Sequence, residues 1–419
     1  MRTMRRNLII KLSQRGEQYG FTHFFIILFF LFNPTNVLAQ EEKAEDSLPK
    51  WNIGYSSKGF ELKSTDNLYK LQIQSRLQFR FATPDDQDPI TFDDYDQEGT
   101  HLFKVNRARL KVGGNAYRTW LKYYWEYDLV NSNLLDFRVM VEKWKWLSLK
   151  FGQWKLEYSR ERRISSGEQQ LVDRSIINRP FTVDRQQGVE LYGRLDGKSL
   201  LDFSYWAAVL TGTGRGHNTN DDAHFMYFGR LQWNPLGEDM GFESSDMDHH
   251  GKPAAIIAIA GVTNRSPYTR FSSSGGGELL GFEDAENGQY RVEQYNLETA
   301  FVYKGITWQS EWHHKKIIDM HNDVPDRLLK GYYLQAGYYP QGDIPWWPKP
   351  LEIAARYSSY IPDSYLDQDH QDELSCALNW FFRGHKNKLT AEVSHFDYEQ
   401  FDRQVDRKWR FRVQWEVSF

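Results

Sequence analysis

The chain has 419 residues, a formal net charge of -4 and a mean hydropathy of -0.68, and its body holds nothing close to the roughly 18 consecutive apolar residues of a membrane-spanning helix. One cysteine, Cys376, excludes an intramolecular disulfide. Helical spans are set aside on these grounds; a β-barrel is not, because only alternate residues of a barrel strand meet lipid.

At the N-terminus, Arg2, Arg5, Arg6, Lys11 and Arg15 precede an apolar stretch over 24–32, and Ala39 closes a small-residue cleavage pattern before Gln40. This is the layout of a secretory signal, so residues 1–39 are set apart from the fold. That segment holds five basic residues and Glu17, so the remaining chain carries a charge of about -8. Residues 40–66 read as a periplasmic lead-in: 40–50 is charged and contains Pro49, and 51–63 is a short strand or extension. Residues 67–419 read as one transmembrane barrel domain.

From Lys70 onward apolar and polar residues alternate. Leu71, Ile73, Leu77, Phe79 and Phe81 share one parity, and Gln72, Gln74, Arg76, Gln78 and Arg80 the other. Ala108, Leu110 and Val112 oppose Arg107, Arg109 and Lys111. Tyr117 to Leu129 alternates against Arg118, Lys122, Glu126 and Asp128. Leu135, Phe137, Val139 and Val141 oppose Asp136, Arg138 and Glu142. Further runs lie near 145–153, 187–196, 199–210, 224–234, 254–263, 289–303, 305–315, 328–339, 350–359, 371–382, 387–398 and 407–419. The total is about 16 strands, an even number as bacterial barrels use. The last run places Trp409, Phe411, Val413, Trp415 and Val417 on one face and ends in Phe419. A terminal aromatic of this kind resembles the C-terminal signature of bacterial outer-membrane proteins. The aromatic residues, 16% of the chain, suit girdles at the two membrane interfaces.

Links at 131–133, 197–198 and 383–385 are turn-like, whereas 212–222, 237–252, 265–288 and 361–370 are long and polar. Short turns at one end and long loops at the other fit a porin. Barrels of this width cannot be filled by their inward side chains and keep an aqueous lumen. Residues 154–187 break the alternation and carry Lys155, Arg160, Arg162, Arg163, Arg174, Arg179 and Arg185 among Ser165, Ser166, Gln169 and Gln170. Such a length predicts a segment that is functional or folded into the lumen, a solvated extracellular loop being the alternative, and guanidinium forks beside hydroxyls suit an oxyanion that sheds part of its water. The acids of 85–98 (Asp85, Asp86, Asp88, Asp93, Asp94, Asp96, Glu98) are expected in a distant loop, screened from a constriction by a Debye length of about 8 Å.

Several ordered blocks resemble the phosphate-selective porin O and P family over roughly residues 69–419: Val105-Asn106-Arg107-Ala108-Arg109-Leu110, Leu149-Lys150-Phe151-Gly152-Gln153-Trp154-Lys155, Ile164-Ser165-Ser166, Val172-Asp173-Arg174-Ser175, Gln187-Gly188-Val189, Leu351 to Tyr357, Leu378-Asn379-Trp380 and the terminal strand. The resemblance implies an all-β, closed antiparallel barrel with an inward-folded constriction loop, assembled as a homotrimer in the bacterial outer membrane. It implies passive diffusion of small inorganic anions, phosphate among them. Its anion site, carried over by motif, falls on Arg107, Asp136 on the following wall strand, Arg162, Ser165, Ser166 and Arg174. Asn106 stands where the family has a second Arg, and Arg162 where a Lys is expected.

Besides outer-membrane lipid and small anions no partner is expected: no cofactor, no metal, no nucleic acid and no catalytic group. A differently selective porin is one alternative. A barrel enzyme would need a Ser beside a His, and neither His249-His250 nor His313-His314 has one in a motif; neighbouring His on a strand also face opposite ways. A glycan-binding β protein would use Trp346-Trp347 as a platform, where an interfacial belt is the competing reading. Small residues over 254–262 are the expected contact between subunits.

Overall fold

The computed structural model describes residues 50–419 except 57, 90–93, 95–98, 100, 198, 218, 222, 273–275, 283, 363–369 and 400–405. The segment read as a signal, and Asp93, Asp96 and Glu98, lie outside the described residues.

Eighteen strands are described. A hairpin of β1 (Trp51–Ser56) and β2 (Gly59–Ser64) is followed by β3 (Lys70–Thr83), β4 (Leu102–Asn115), β5 (Leu121–Asp128), β6 (Asn133–Trp144), β7 (Leu147–Lys155) and β8 (Arg185–Leu195). Then come β9 (Phe203–Leu210), β10 (Met226–Trp233), β11 (Ala254–Ser266), β12 (Tyr290–Tyr303) and β13 (Ile306–Asp319). The last five are β14 (Arg327–Tyr338), β15 (Leu351–Ile361), β16 (His370–Phe381), β17 (Asn387–Glu399) and β18 (Asp406–Ser418). From β3 to β18 each strand pairs antiparallel with the next, and β18 returns to β3 from Phe411↔Thr83 to Ser418↔Arg76. The result is a closed barrel of 16 strands with no free edge. Below the end of β18 the hairpin takes over, with Phe60↔Ile73 to Lys63↔Lys70 extending the wall.

Alternation builds the wall. On β18 Trp409, Phe411 and Trp415 are exposed on the outside, and Arg410, Arg412, Gln414 and Glu416 are buried inside. Cys376 faces out between Leu374 and Leu378, and His313 and His314 take opposite faces, the first against Glu311 and the second stacked on Tyr295. Three register shifts interrupt the count, one of them in β6 between Val141 and Trp144 opposite β7. Asn106 is the extra residue of β4, opposite the Gln78/Phe79 step, and Leu135 that of β6, opposite Glu126/Tyr127. Leu135 is therefore buried rather than lipid-facing, and Leu134 takes its place outside. Tyr117, expected on a strand, sits in the turn before β5 at φ 64.

The ends of the barrel differ from expectation at two links. Strand direction puts the short link 129–132 at the end that carries the long loops, and the long link 234–253 at the end that carries the short turns. Nor is the interior uniformly polar. Ala254, Ala258 and Ala260 of β11 point inward, and Ile257 and Ile259 are what β11 shows to lipid. The small residues of this strand thus serve internal packing: Ala260 and Val262 lie in a cluster with Leu210, Phe228, Ile317, Tyr333 and residues of the 156–184 loop. Inside this arc a strand that is apolar on both faces is what packing requires.

Candidate functional site

Between β7 and β8, residues 156–184 fold into the lumen and lie against one arc of the wall. Trp154, Leu156, Tyr158, Ile177, Phe181 and Val183 join the apolar cluster of β9 to β14. At this coupling area is removed from water on both surfaces, at roughly 25 cal/mol per Å². The loop has two single turns, α1 (Arg160–Arg163), capped by Ser159 Oγ accepting from Arg162 N at 3.1 Å, and α2 (Asn178–Phe181). These turns pair only part of its backbone, and wall side chains satisfy much of the rest. Glu311 accepts from Glu161 N (2.7 Å), Glu392 from Val172 N (2.7 Å) and Glu373 from Ile176 N (3.0 Å). Asn296, Lys315 and Asn379 donate to the carbonyls of Tyr158, Pro180 and Gln170. Arg356 binds Glu373 at 2.6 Å, Glu161 at 3.3 Å and the Asp173 carbonyl at 2.9 Å.

All of these anchors sit on β12 to β17. The loop therefore leaves a passage along the other arc, β4 to β8, where Arg107, Arg109, Lys111, Arg138 and Lys155 stay half-buried while the acids Glu126, Asp128, Asp136 and Glu190 are buried. On that arc Arg109 meets Glu126 (2.8 Å) and Asp128 (3.4 Å), and Arg138 meets Asp136 (2.7 Å) with its guanidinium over Tyr124. Two cations there have no ion pair or hydrogen-bond acceptor among the described residues. Lys155, at the end of β7, has Arg174, Arg185, Arg162 and Asp184 as its neighbouring charges. Lys111, on β4, has Arg76, Glu126, Glu168 and Glu416.

The six residues carried over by motif fall into four groups. Arg107 donates to Gln78 (2.9 Å) and Asp173 (3.3 Å). Turning the Asn106 amide oxygen toward the cations gives bonds from Arg80 (2.8 Å) and Arg107 (2.9 Å). The bulge thus points two consecutive residues at the lumen. Ser165 and Ser166 each accept from one arm of Arg76, at 2.8 and 2.7 Å, which leaves both hydroxyl protons to donate elsewhere. Arg162 and Asp136 belong to a third group bridged by Arg185: Arg162 pairs with Asp184 at 2.5 Å, and Arg185 bonds Asp136 at 2.6 Å and Asp184 at 3.4 Å. Asp136 lies on β6, two strands from Arg107, and its partners are Arg138 and Arg185, not Arg107. Arg174 is turned back on its own loop and donates to the carbonyls of Glu161 (3.0 Å), Arg162 (3.3 Å) and Ile164 (2.9 Å). It closes the C-terminal end of α1, where carbonyls lack partners.

Charges of the loop are strongly biased. Burial, then neighbouring Arg162 and Arg107, hold the Arg174 guanidinium well below its usual range. Burial would raise Asp173, but Arg80, Arg107 and Arg412 outweigh it and keep it well below the carboxylate range. Burial opposes Lys150 and Arg163 at Glu157, and the cations win, holding it at about 2. The Asp85–Asp88 acids are not distant. Asp86 binds Arg80 at 2.9 Å and also Lys104, Asp88 binds Arg410 at 2.7 Å and Asp85 binds Lys408 at 2.6 Å. Residues 85–88 thus neutralise cations that the alternation put inside.

The sequence profile of the family described as "Phosphate-selective porin O and P" matches residues 76–419. The chain belongs to this family. Porin O of Pseudomonas aeruginosa is 21% identical over 307 residues, 68% of this chain and 67% of that protein. Among solved structures, an anion-selective porin from Comamonas acidovorans superposes with a TM-score of 0.53 at 10% identity, covering 84% of this chain and 100% of that one. The channel DcaP of Acinetobacter baumannii gives 0.52 at 9% identity, over 85% and 99%. The trimer form of OmpT from Vibrio cholerae gives 0.51 at 10% identity, over 83% and 99%. The protein is an outer-membrane channel, not an enzyme.

Within this porin, residues missed by pattern reading are as prominent as those found. Lys155 closes the Gly-Gln-Trp-Lys block and was legible there; Arg76, Asp173, Asp184 and Lys111 gave no separate signal. The link 234–253 was misplaced entirely. It enters the lumen from the turn end, where Arg160 of α1 donates to the carbonyls of Gly241 (2.7 Å) and Glu243 (2.9 Å). Phe242 lies under the guanidiniums of Arg160, Arg163 and Arg230, and Ser245 donates to Glu352 at 3.0 Å. The constriction loop is thus held from both ends of the barrel.

Proposed function

We propose that the passage along β4 to β8 conducts small anions, phosphate and related oxyanions in particular. The observation that carries this is an excess of uncompensated cation on the one wall that the loop leaves open. Lys155 and Lys111 lack ion-pair partners among the described residues, beside the paired Arg107 and Arg162, in a chain that is acidic overall. Low-dielectric walls strengthen each charge at a narrow point. The Ser165 and Ser166 hydroxyls, fixed by Arg76, supply donors that replace water lost by the ion. The acids between the cations, Asp136, Asp173 and Asp184, keep the arginines oriented and limit retention.

The homotrimer belongs to the same proposal, supported by family membership; sizing with light scattering in mild detergents tests it, and a monomeric mass would remove it. Residues 1–39 are proposed as a cleaved signal, and Edman sequencing of the membrane-extracted protein beginning at Gln40 is the expected result. For selectivity, the measurement is reversal potential in a KCl gradient, repeated with added phosphate. Anion preference with phosphate block of chloride current is expected; cation preference in the wild-type channel would overturn the reading.

A further inference from the structure

At the loop end a cavity of about 420 Å³ opens between residues 86–89, α2, the 279–282 segment and the upper ends of β14 to β17. Its floor is apolar: Ile176, Leu279, Phe282 and Leu329 are all buried and line it. Tyr360 and Tyr398 add ring faces and hydroxyls. Two guanidiniums reach it. Arg327 stacks over the Phe282 ring at 5.6 Å. Arg179, on α2, makes no hydrogen bond or ion pair to a described residue; Tyr360 and Asp94 are its neighbouring charged or ionisable groups.

The two acids at the rim do not neutralise Arg179. Asp86 is held by Arg80 and Lys104, and Asp88 by Arg410. A half-buried cation with no ion pair to a described residue and Asp94 as a neighbouring acid, above an oily and aromatic floor, matches a ligand with one anionic head and a flat apolar body. Hydrated phosphate gains nothing from such a floor. We infer that this cavity is a binding site for aromatic monocarboxylates, separate from the oxyanion passage, with Arg179 taking the carboxylate and the Leu279, Phe282 and Leu329 surface taking the ring. This goes beyond the proposed ion selectivity and does not depend on which inorganic anion passes.

A ligand of this size bound by one charge and one ring face has an expected Kd of about 1 mM. The test is ¹⁹F NMR line broadening of 4-fluorobenzoate with the purified channel in detergent, corrected for detergent alone. Broadening that unlabelled benzoate reverses, and that equimolar phosphate leaves in place, is expected. Arg179→Gln should weaken it at least fivefold. Leu280→Glu, at an exposed rim position, should do the same by adding a like charge without disturbing the floor; retention of heat-modifiable migration verifies that each variant is folded. Broadening that is unchanged in both variants, that phosphate abolishes, or that never exceeds the detergent control would overturn the site.

Discussion

The two halves of the inner wall begin with the same kind of residue and end in different states. On β12 to β18, Glu311, Arg356, Glu373, Glu392 and Arg412 are inward, charged and almost fully buried, because the 156–184 loop lies on them and their charges are consumed by its backbone or by each other. On β4 to β8, Arg109, Lys111, Arg138 and Lys155 are inward, charged and still half-exposed. Where a charge is buried, removing its partner costs about 3–5 kcal/mol, and its effect on a passing ion is small. Where it faces water, the balance reverses. An inward position is therefore not enough to make a residue part of the conduction path; what lies over it decides.

The largest expected effect comes from collapsing the difference between the halves. Arg356→Ala leaves Glu161 and Glu373 buried without their common cation, so the loop should detach, at a cost of about 3–5 kcal/mol. Single-channel recording should then show higher, noisier conductance and reduced selectivity, together with a lower thermal transition; a quiet wild-type trace would mean that the loop does not rely on this arginine.

Next in size is Arg162→Ala. It removes one positive charge and frees one arm of Asp184, so selectivity should move further toward cations than loss of a single charge predicts. The double variant Arg162→Ala with Asp184→Asn should recover part of the shift, and failure to recover any would separate Asp184 from the passage. Lys155→Gln changes only an unpaired charge. At short range in a wet lumen one charge is worth about 1 kcal/mol, so the anion-to-cation permeability ratio should fall roughly fivefold with no change in thermal stability. A stability loss instead would place Lys155 in the packing rather than the path.

The smallest effect is that of mild acid. Glu157 is held at about 2, below its unfolded value near 4, so its contribution to anchoring is complete above about pH 4.5 and is lost as pH falls toward 2. Asp173 is depressed in the same direction. Conductance noise should be flat from pH 7 to pH 5 and rise only below about pH 4; a rise near pH 6 would point to a group other than these carboxylates.

Reading the chain as a sequence recovered the barrel almost strand for strand, because lipid outside and water inside impose a period of two that survives in local composition. The same reading missed the bulges at Asn106 and Leu135, since an extra residue leaves no compositional mark and shows only when partner strands are aligned. It also took the alanines of β11 for an outer surface, because a segment apolar on both faces carries no parity to read.

What the amino-acid order determined by itself is local: alternation, strand number, the terminal aromatic strand, the one long basic interruption and the motif blocks that place the chain in its family. What only the tertiary structure decided is pairing between distant residues. Arg174 looked like a passage cation and is spent on carbonyls of α1; Asp86 looked remote and neutralises Arg80; the link 234–253 looked like an outer loop and props the constriction from the opposite end. Charge acts through distance and burial, neither of which is written in sequence spacing, so the wall could be read from the chain but the path through it could not.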